Sequence, residues 1–153
     1  MATRSQFGRW RVKFDREDTV RRYSLLPIGS GCACTDCQTF GAMGIDVFPE
    51  DFRAIADLIG IDVEKPAELC HYGKDATGLH LTGGWFHAVG SLESGRDAWT
   101  QATPSVKTPD FEKLASGAEF GISPDAQLVA EPFKGASLLQ LEFLVHVPWP
   151  LSA

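Results

Sequence analysis

The segment Leu138-Leu139-Gln140-Leu141-Glu142-Phe143-Leu144-Val145-His146-Val147 decides the fold class, because it is the longest strand candidate in the chain. Successive side chains of a strand point to opposite faces, so the odd-numbered residues of this segment form one apolar face. The other face carries Gln140, Glu142 and His146. Pro148 follows directly, and proline ends a strand because it has no N–H to donate. We therefore predict a strand over residues 138–147.

A second alternating segment, Leu79-His80-Leu81-Thr82-Gly83-Gly84-Trp85-Phe86-His87-Ala88, has two adjacent glycines at its centre. A Gly-Gly pair between alternating runs is typical of a two-residue β-hairpin turn. In that register His80 opposes His87, with Cβ atoms about 5 Å apart. Two neighbouring imidazoles repel each other when both are protonated, so such a pair usually has a function. We therefore predict His80 and His87 as candidate catalytic residues.

Two helices are predicted between residues 49 and 73. The first begins at Pro49, because proline is tolerated in the first turn, and it ends at Gly60. Its buried stripe follows helical spacing and consists of Phe52, Ile55, Ala56 and Ile59. A shorter helix is predicted from Pro66 to Gly73 and would hold Cys70 on a regular element.

The remaining segments complete the predicted fold. Residues 7–14 alternate and indicate a half-buried strand, and residues 19–28 are expected to be extended. Residues 93–109 are polar and indicate a long surface loop that carries Trp99. Strands and helices are segregated, without repeated strand-helix-strand crossovers. We therefore predict a single compact α+β domain over residues 1–153, with a mostly antiparallel sheet, two helices packed on one side and a cysteine-rich metal-binding loop.

Composition limits the class of protein and its partners. The chain has 153 residues, of which 44% are hydrophobic and 22% charged, as in ordinary globular proteins. No stretch approaches the roughly 18 apolar residues of a membrane span, and no secretory segment is evident, so we predict a cytoplasmic protein without a membrane partner. The net charge is −6, and half of the fourteen basic residues lie in positions 1–22. The acidic remainder would repel a nucleic-acid backbone, so nucleic-acid binding is not expected.

The cysteines carry the main functional signal. Cys32, Cys34 and Cys37 form a C-x-C-x2-C motif, and Cys70 follows later in the chain. In a reducing compartment, clustered cysteines indicate metal binding or redox chemistry rather than structural disulfides. Four thiolates satisfy the tetrahedral preference of zinc and leave no open position. We therefore predict a metal-binding protein in which these four cysteines hold zinc, and a site closed by four thiolates would be structural. The sequence does not indicate a molecular activity.

The run Cys32-Ala33-Cys34-Thr35-Asp36-Cys37, followed by Gly41-Ala42, locally resembles the cysteine run of the glutathione-dependent formaldehyde-activating enzyme family, a zinc-binding group. The resemblance covers these few residues only, and the chain lacks that family's additional early C-x-C and its later cysteine knuckle. The resemblance therefore implies metal binding at these cysteines, and it implies neither the activity nor the fold of that family.

Other functions use the same residues. An iron-sulfur cluster would accept the four cysteines equally well. A mixed site of cysteines with His80 or His87 and a bound water would be catalytic, and the protein would then be a metal-dependent enzyme acting on a small molecule. His71, which is adjacent to Cys70, and His146, on the polar face of the last predicted strand, are further candidate ligands for such a site. Trp85 and Trp99 would line the pocket of that enzyme as cofactor-binding or ligand-binding residues.

Two further alternatives do not need a catalytic metal. An adaptor module with a structural metal would present the histidine side of the hairpin to a protein partner. A redox protein would use the C-x2-C pair Cys34 and Cys37 to form a reversible disulfide. Redox pairs of this type usually open a helix, whereas the first helix predicted here begins only at Pro49.

Overall fold

The computed structural model describes residues 2–29 and 34–148, except for the side chains of Thr35, Asp36 and Ile45. The strands in this part of the chain are β1 Ala2–Phe7, β2 Trp10–Asp15, β3 Glu68–Lys74, β4 His80–Ser94, β5 Trp99–Thr103, β6 Val106–Pro109, β7 Glu112–Lys113, β8 Glu119–Ser123 and β9 Leu138–Val147. The α-helices are α1 Arg16–Tyr23, α2 Thr35–Met43 and α3 Glu50–Ile59. Short 3-10 helices span Gly44–Val47 and Glu131–Phe133.

Strand β4 is the centre of the sheet. One of its edges pairs with β9 over ten residues, from His80 opposite Val147 to Val89 opposite Leu138. Its other edge is shared, because β3 pairs with its first half and β2 with its second half. Strand β1 extends the sheet beyond β2, and β8 and β7 extend it beyond β9, with every pairing antiparallel. The predicted α+β class with a mostly antiparallel sheet is confirmed, with three α-helices in the described residues instead of two.

The predicted hairpin at Gly83-Gly84 is wrong, because β4 runs without a turn through both glycines. The glycines serve close packing instead. A Cβ atom at Gly84 would overlap the carbonyl oxygen of Glu68, and one at Gly83 would lie 2.8 Å from a methyl group of Leu144. Because His80 and His87 are seven residues apart in one strand, they point to opposite faces of the sheet. They are therefore not neighbours, as the hairpin required.

The predicted helix over residues 66–73 is also wrong. This segment contains strand β3, in which Cys70 pairs with Gly83 and His71 with Thr82. Pairing with the open edge of β4 satisfies the backbone hydrogen bonds that a helix would otherwise provide. The first predicted helix is confirmed as α3, which ends at Gly60 with a left-handed φ of 97°.

Two N-terminal predictions also need correction. The predicted strand over residues 7–14 is divided by a turn at Gly8 and Arg9, and its second part is β2. Of the segment 19–28 that was expected to be extended, residues 19–23 lie in helix α1. The Asp15 carboxylate caps this helix by accepting a hydrogen bond from the backbone N–H of Asp18 at 3.0 Å. An N-cap of this kind satisfies an N–H that has no partner inside the helix.

The predicted loop over residues 93–109 contains regular structure. Strand β4 extends to Ser94, and β5 and β6 form a separate two-stranded sheet. Trp99 lies at the beginning of β5, opposite Pro109. Within residues 2–29 and 34–148, no helix is both long enough and apolar enough to cross a membrane.

Strands β4 and β9 have two faces that we name by what covers them. The α2 face of β4 carries the even-numbered residues from His80 to Ala88, and the tryptophan face carries the odd-numbered residues from Leu81 to Val89. On the α2 face, the ring of Phe48 packs between Phe40 of α2 and the sheet residues Phe86 and Phe143, with centroid distances of 4.9 to 5.7 Å. Phe48 also stacks on Phe52 of α3 at 5.1 Å, so this aromatic cluster joins α2 and α3 to that side of the sheet.

Helix α1 covers a gap in the sheet. Between the parts of β4 that pair with β3 and with β2, side chains of α1 provide hydrogen bonds to the strand backbone. The hydroxyl of Tyr23 donates to the carbonyl oxygen of His87 at 2.6 Å, and the backbone N–H of Val89 donates to the hydroxyl oxygen of Thr19 at 3.0 Å. Both α1 residues are buried. These hydroxyl groups therefore replace the backbone partners that a continuous neighbouring strand would supply.

Candidate functional site

The two described cysteines of the predicted motif lie at the beginning of α2. Cys34 is the N-cap residue, and its sulfur accepts a hydrogen bond from the backbone N–H of Cys37 at 3.4 Å. The C-x2-C pair therefore opens a helix, contrary to the expectation that no helix begins before Pro49. Cys32, the third cysteine of the motif, lies outside the described residues. The predicted metal-binding loop is thus only partly described.

The start of α2 covers the same face of the sheet as a pair of histidines. Cys37 and Leu69 line one small cavity between α2 and β3. His71 is two residues beyond Leu69 in β3 and therefore shares its face. His71 pairs with Thr82, and both Thr82 and His80 lie on the α2 face. The sequence made His71 a further candidate ligand because it is adjacent to Cys70, but only the pairing of β3 with β4 brings it beside His80.

His71 and His80 are in direct contact. Nε2 of His71 lies 2.7 Å from Nδ1 of His80, which is hydrogen-bond distance, and the rings are inclined by only 14°. One of these nitrogens donates and the other accepts, so the hydrogen bond requires at least one of the two facing nitrogens to lack a proton. His80 is buried and His71 half-buried. The two imidazoles therefore form a hydrogen-bonded pair on β3 and β4.

Cys70 lies on the opposite face of β3 from His71. It pairs with Gly83 and so projects on the tryptophan face, where it interacts with the side chain of Tyr72. Burial raises the pKa of the Cys70 thiol above its usual value, and the nearby Glu68 and Glu142 act in the same direction. A thiol in this environment is stabilised in its protonated form. Cys70 therefore projects to the opposite side of the sheet from the cysteines at the start of α2.

Within residues 2–29 and 34–148, no three His, Cys, Asp or Glu side chains form a group that could hold a metal ion. Of the four predicted zinc ligands, Cys34 and Cys37 lie together on α2, and Cys70 lies on the other side of β3. His80 shares the α2 side of the sheet with the two α2 cysteines. His87, the second predicted catalytic histidine, does not.

His87 takes part in a buried polar network on the tryptophan face. Its Nε2 lies 3.0 Å from Oε1 of Gln140, which also accepts the backbone N–H of Gln127 at 2.7 Å. The amide oxygen of Gln140 is thereby identified, so Nε2 of His87 must be the donor. The amide nitrogen of Gln140 donates in turn to Glu142. Burial lowers the pKa of His87, so its imidazole is favoured in the neutral form.

This network ends in a cavity between the sheet and the β5–β6 hairpin. The cavity has a volume of about 410 Å³ and is lined by Trp85, Asp97, Trp99, Lys107, Ser123, Asp125, Gln127, Gln140 and Glu142. Both tryptophans that the sequence predicted as ligand-binding residues therefore line the same cavity. The indole N–H of Trp85 donates to the carbonyl oxygen of Gln127 at 3.0 Å, which fixes the ring at the cavity wall.

Glu142 is the most unusual residue of the cavity. Its side chain belongs to a central strand, and only 2% of the residue is exposed. Burial raises its pKa to about 7, while hydrogen bonds from Gln140 and Trp99 oppose that rise. The sequence contained a signal for this site, because Gln140 and Glu142 interrupt an otherwise apolar central strand.

A second cavity, of about 320 Å³, lies at the other end of the tryptophan face. It is lined mainly by apolar groups from the α1 end, the segment 65–67 and the segment 128–133. Tyr23, His87 and Phe133 contribute to its wall. It contains few polar groups that could orient a ligand.

Comparison of the chain with protein-family models, with curated proteins and with solved structures gives no match.

Proposed function

We propose that this protein binds a transition-metal ion, most simply zinc, through the cysteines at the start of α2 and an imidazole of the His71–His80 pair. The ligands expected from the motif are Cys32, Cys34 and Cys37. The imidazole replaces Cys70 in this proposal. The observation that carries the proposal is that the C-x2-C helix start and the histidine pair lie on the same face of the sheet, whereas Cys70 projects from the other face.

Local chemistry supports thiolate ligands at this helix end. The first turn of a helix presents unpaired N–H groups and the positive end of the helix dipole, both of which stabilise a negatively charged sulfur. The N–H of Cys37 already donates to the sulfur of Cys34. Thiolate donors favour zinc, copper(I) and iron-sulfur clusters over magnesium or calcium.

The histidine pair suits the fourth position of such a site. A metal-bound imidazole usually holds its second nitrogen in a hydrogen bond, which fixes the orientation of the ring. The contact between His71 and His80 provides that arrangement for either ring. Coordination would then use Nδ1 of His71 or Nε2 of His80. A closed site of three thiolates and one imidazole would be structural and would join the cysteine helix to the sheet.

Elemental analysis of protein purified without chelator tests the proposal. We expect about one equivalent of zinc and a colourless sample. Cys34→Ser and Cys37→Ser should each lose the metal, and His71→Asn combined with His80→Asn should weaken metal retention. Cys70→Ser is the matched control, because it removes a thiol from the opposite face, and it should retain the full metal content.

Cobalt substitution tests the ligand set without mutation. Cobalt(II) bound by three thiolates and one imidazole absorbs at shorter wavelengths than cobalt(II) bound by four thiolates. A four-thiolate spectrum of the wild-type protein, together with loss of metal in Cys70→Ser, would instead support the site of four cysteines that the sequence predicted. Brown protein containing iron would indicate a cluster instead, and metal-free folded protein would overturn metal binding.

A second candidate function is thiol–disulfide exchange by Cys34 and Cys37. It is favoured by the position of Cys34 as the N-cap of α2, since redox-active C-x2-C pairs commonly open a helix. The same preparation separates the two functions. A redox pair predicts metal-free protein in which oxidation of these two cysteines is reversible and independent of Cys70.

A further inference from the structure

We infer that the cavity between Trp85, Trp99 and Glu142 is a binding site for a small organic cation, with the Glu142 carboxylate as its buried counter-charge. This site lies on the tryptophan face and does not use the cysteines at the start of α2. The inference therefore stands or falls independently of the proposed metal site. The walls, the charges and the floor of the cavity each favour a cationic ligand.

The walls are aromatic. Trp85 of β4 and Trp99 of β5 both line the cavity. The Trp85 ring is held by its hydrogen bond to Gln127, and Trp99 packs edge-on against Phe111 at 5.6 Å. Tryptophan has the strongest attraction for cations among the aromatic side chains, and two rings around one space are typical of sites for substituted ammonium groups.

The charges around the cavity are unbalanced. Three carboxyl groups line it, from Asp97, Asp125 and Glu142, against the single cationic side chain of Lys107. Lys107 is exposed at the end of the β5–β6 hairpin, whereas Glu142 is at the buried end. A cationic ligand would reduce this imbalance, and an anionic ligand would increase it. The charge pattern therefore favours a cation over an acidic or phosphorylated small molecule.

The floor contains a carboxyl group without a cationic partner in the described part of the chain. The groups that act on Glu142 are Gln140, Trp99 and Asp97, and none of them is positively charged. Removing a carboxylate from water without a counter-ion costs free energy, so burial raises the pKa of this side chain to about 7. An ammonium group in the cavity would supply the missing charge and release that proton.

The affinity for a cation should therefore depend on pH. The titratable or charged groups around Glu142 are Cys70 and Tyr72 from β3, His87 from β4 through Gln140, Asp97, Lys107 from β6, and Asp125. Burial raises the pKa of Cys70 and of Tyr72 and lowers that of His87, so none of these three gains charge as Glu142 ionises. Cation affinity should rise about tenfold between pH 6 and pH 8, because the ionised fraction of a group with a pKa near 7 rises by that factor.

Titration calorimetry with choline and its neutral isostere 3,3-dimethylbutan-1-ol tests the inference. The two probes have nearly the same shape and differ in the positive charge. We expect wild-type protein at pH 8 to bind choline at least tenfold more tightly than the neutral alcohol. Glu142→Gln should lower choline affinity about tenfold and remove the increase between pH 6 and pH 8.

Matched variants separate the site from general effects. Glu119→Gln, on the neighbouring strand β8 and outside the cavity lining, should leave choline affinity and its pH dependence unchanged. Trp99→Leu should weaken choline binding without removing the pH dependence. Circular dichroism establishes that each variant is folded, and chemical shifts of the Trp85 indole locate the probe in variants with altered affinity.

The inference would be overturned by an absence of choline binding to folded wild-type protein, by equal binding of choline and the neutral alcohol, or by unchanged choline binding in folded Glu142→Gln. Tighter binding of a neutral sugar such as glucose than of choline would also overturn it, because the tryptophans would then serve a carbohydrate ligand.

Discussion

The two faces of the β4–β9 strand pair are both covered, but they are filled differently. On the α2 face, the rings of Phe48, Phe52, Phe86 and Phe143 pack against one another with centroid distances of 4.9 to 6.3 Å. On the tryptophan face, a polar chain from His87 through Gln140 to Glu142 ends in an open cavity. Neighbouring residues of the same strands therefore belong to a packed aromatic core on one side and to a cavity with polar walls on the other.

The two faces contribute differently to the stability of the fold. Aromatic packing on the α2 face buries apolar area and provides no space for a ligand. Buried carboxyl and amide groups on the tryptophan face cost free energy unless they are hydrogen-bonded, and they contribute less to folding than an apolar core would. A protein that keeps such groups on a central strand gives up stability there, which is typical of binding sites.

The largest difference between the faces should appear when one aromatic residue is removed from each. Phe48→Ala should destabilise the protein by about 3 to 5 kcal/mol, because a fully buried ring at the centre of the cluster leaves a cavity. Trp85→Ala should cost less than half of that, since the Trp85 ring is half-buried and already borders open space. Urea denaturation measures both values, and equal losses would contradict the proposed division between the faces.

Alternation along the chain predicted the faces better than it predicted the turns. The strand over residues 138–147 and helix α3 were predicted because their periodicity and their ends agree, with proline after the strand and Gly60 after the helix. The Gly83-Gly84 pair was misleading, since two glycines are equally suited to a turn and to the close approach of neighbouring strands. Which of these applies depends on the long-range pairing of β3, and no local pattern contains that information.

The predicted sites show the same limit. Trp85 and Trp99 were expected beside one pocket, and they do line one cavity, because the side to which Trp85 points depends only on alternation. The prediction that His80 and His87 are neighbours depended on the hairpin register. Because the hairpin does not exist, this prediction is also wrong. The partner of His80 is His71, which only the strand pairing brings into contact.

The polar floor of the tryptophan face should make stability depend on pH. Because the pKa of Glu142 is raised from 4.5 to about 7 in the folded protein, the folded state binds more protons than the unfolded state between these values. The resulting stabilisation is complete below pH 4.5 and is lost as the pH rises through 7. The stability of wild type relative to Glu142→Gln should therefore fall by up to about 3 kcal/mol between pH 4.5 and pH 8.

Urea denaturation of both proteins across this pH range measures the difference. Using the difference cancels the contributions of other titrating groups, including the Asp75 carboxylate, whose pKa is lowered by its contacts with Thr77 and His146. A pH-independent difference between the two proteins would show that Glu142 is ionised throughout, and the argument for an uncompensated carboxyl group would fail.

The smallest expected effect concerns the sheet edge, where α1 substitutes for a strand. Tyr23→Phe removes the hydroxyl that donates to the carbonyl oxygen of His87 and leaves a buried acceptor without this partner. The expected cost is about 1 to 2 kcal/mol. Tyr72→Phe is the matched control, because that ring is largely exposed and water can replace its hydroxyl contact, so its cost should stay below about 0.5 kcal/mol.

Amide hydrogen exchange would locate the effect of Tyr23→Phe at Val89. Loss of the Tyr23 contact should loosen α1 and so expose the backbone N–H of Val89, which donates to the hydroxyl oxygen of Thr19. Equal costs for the two substitutions, with unchanged exchange at Val89, would mean that α1 covers this edge by packing alone.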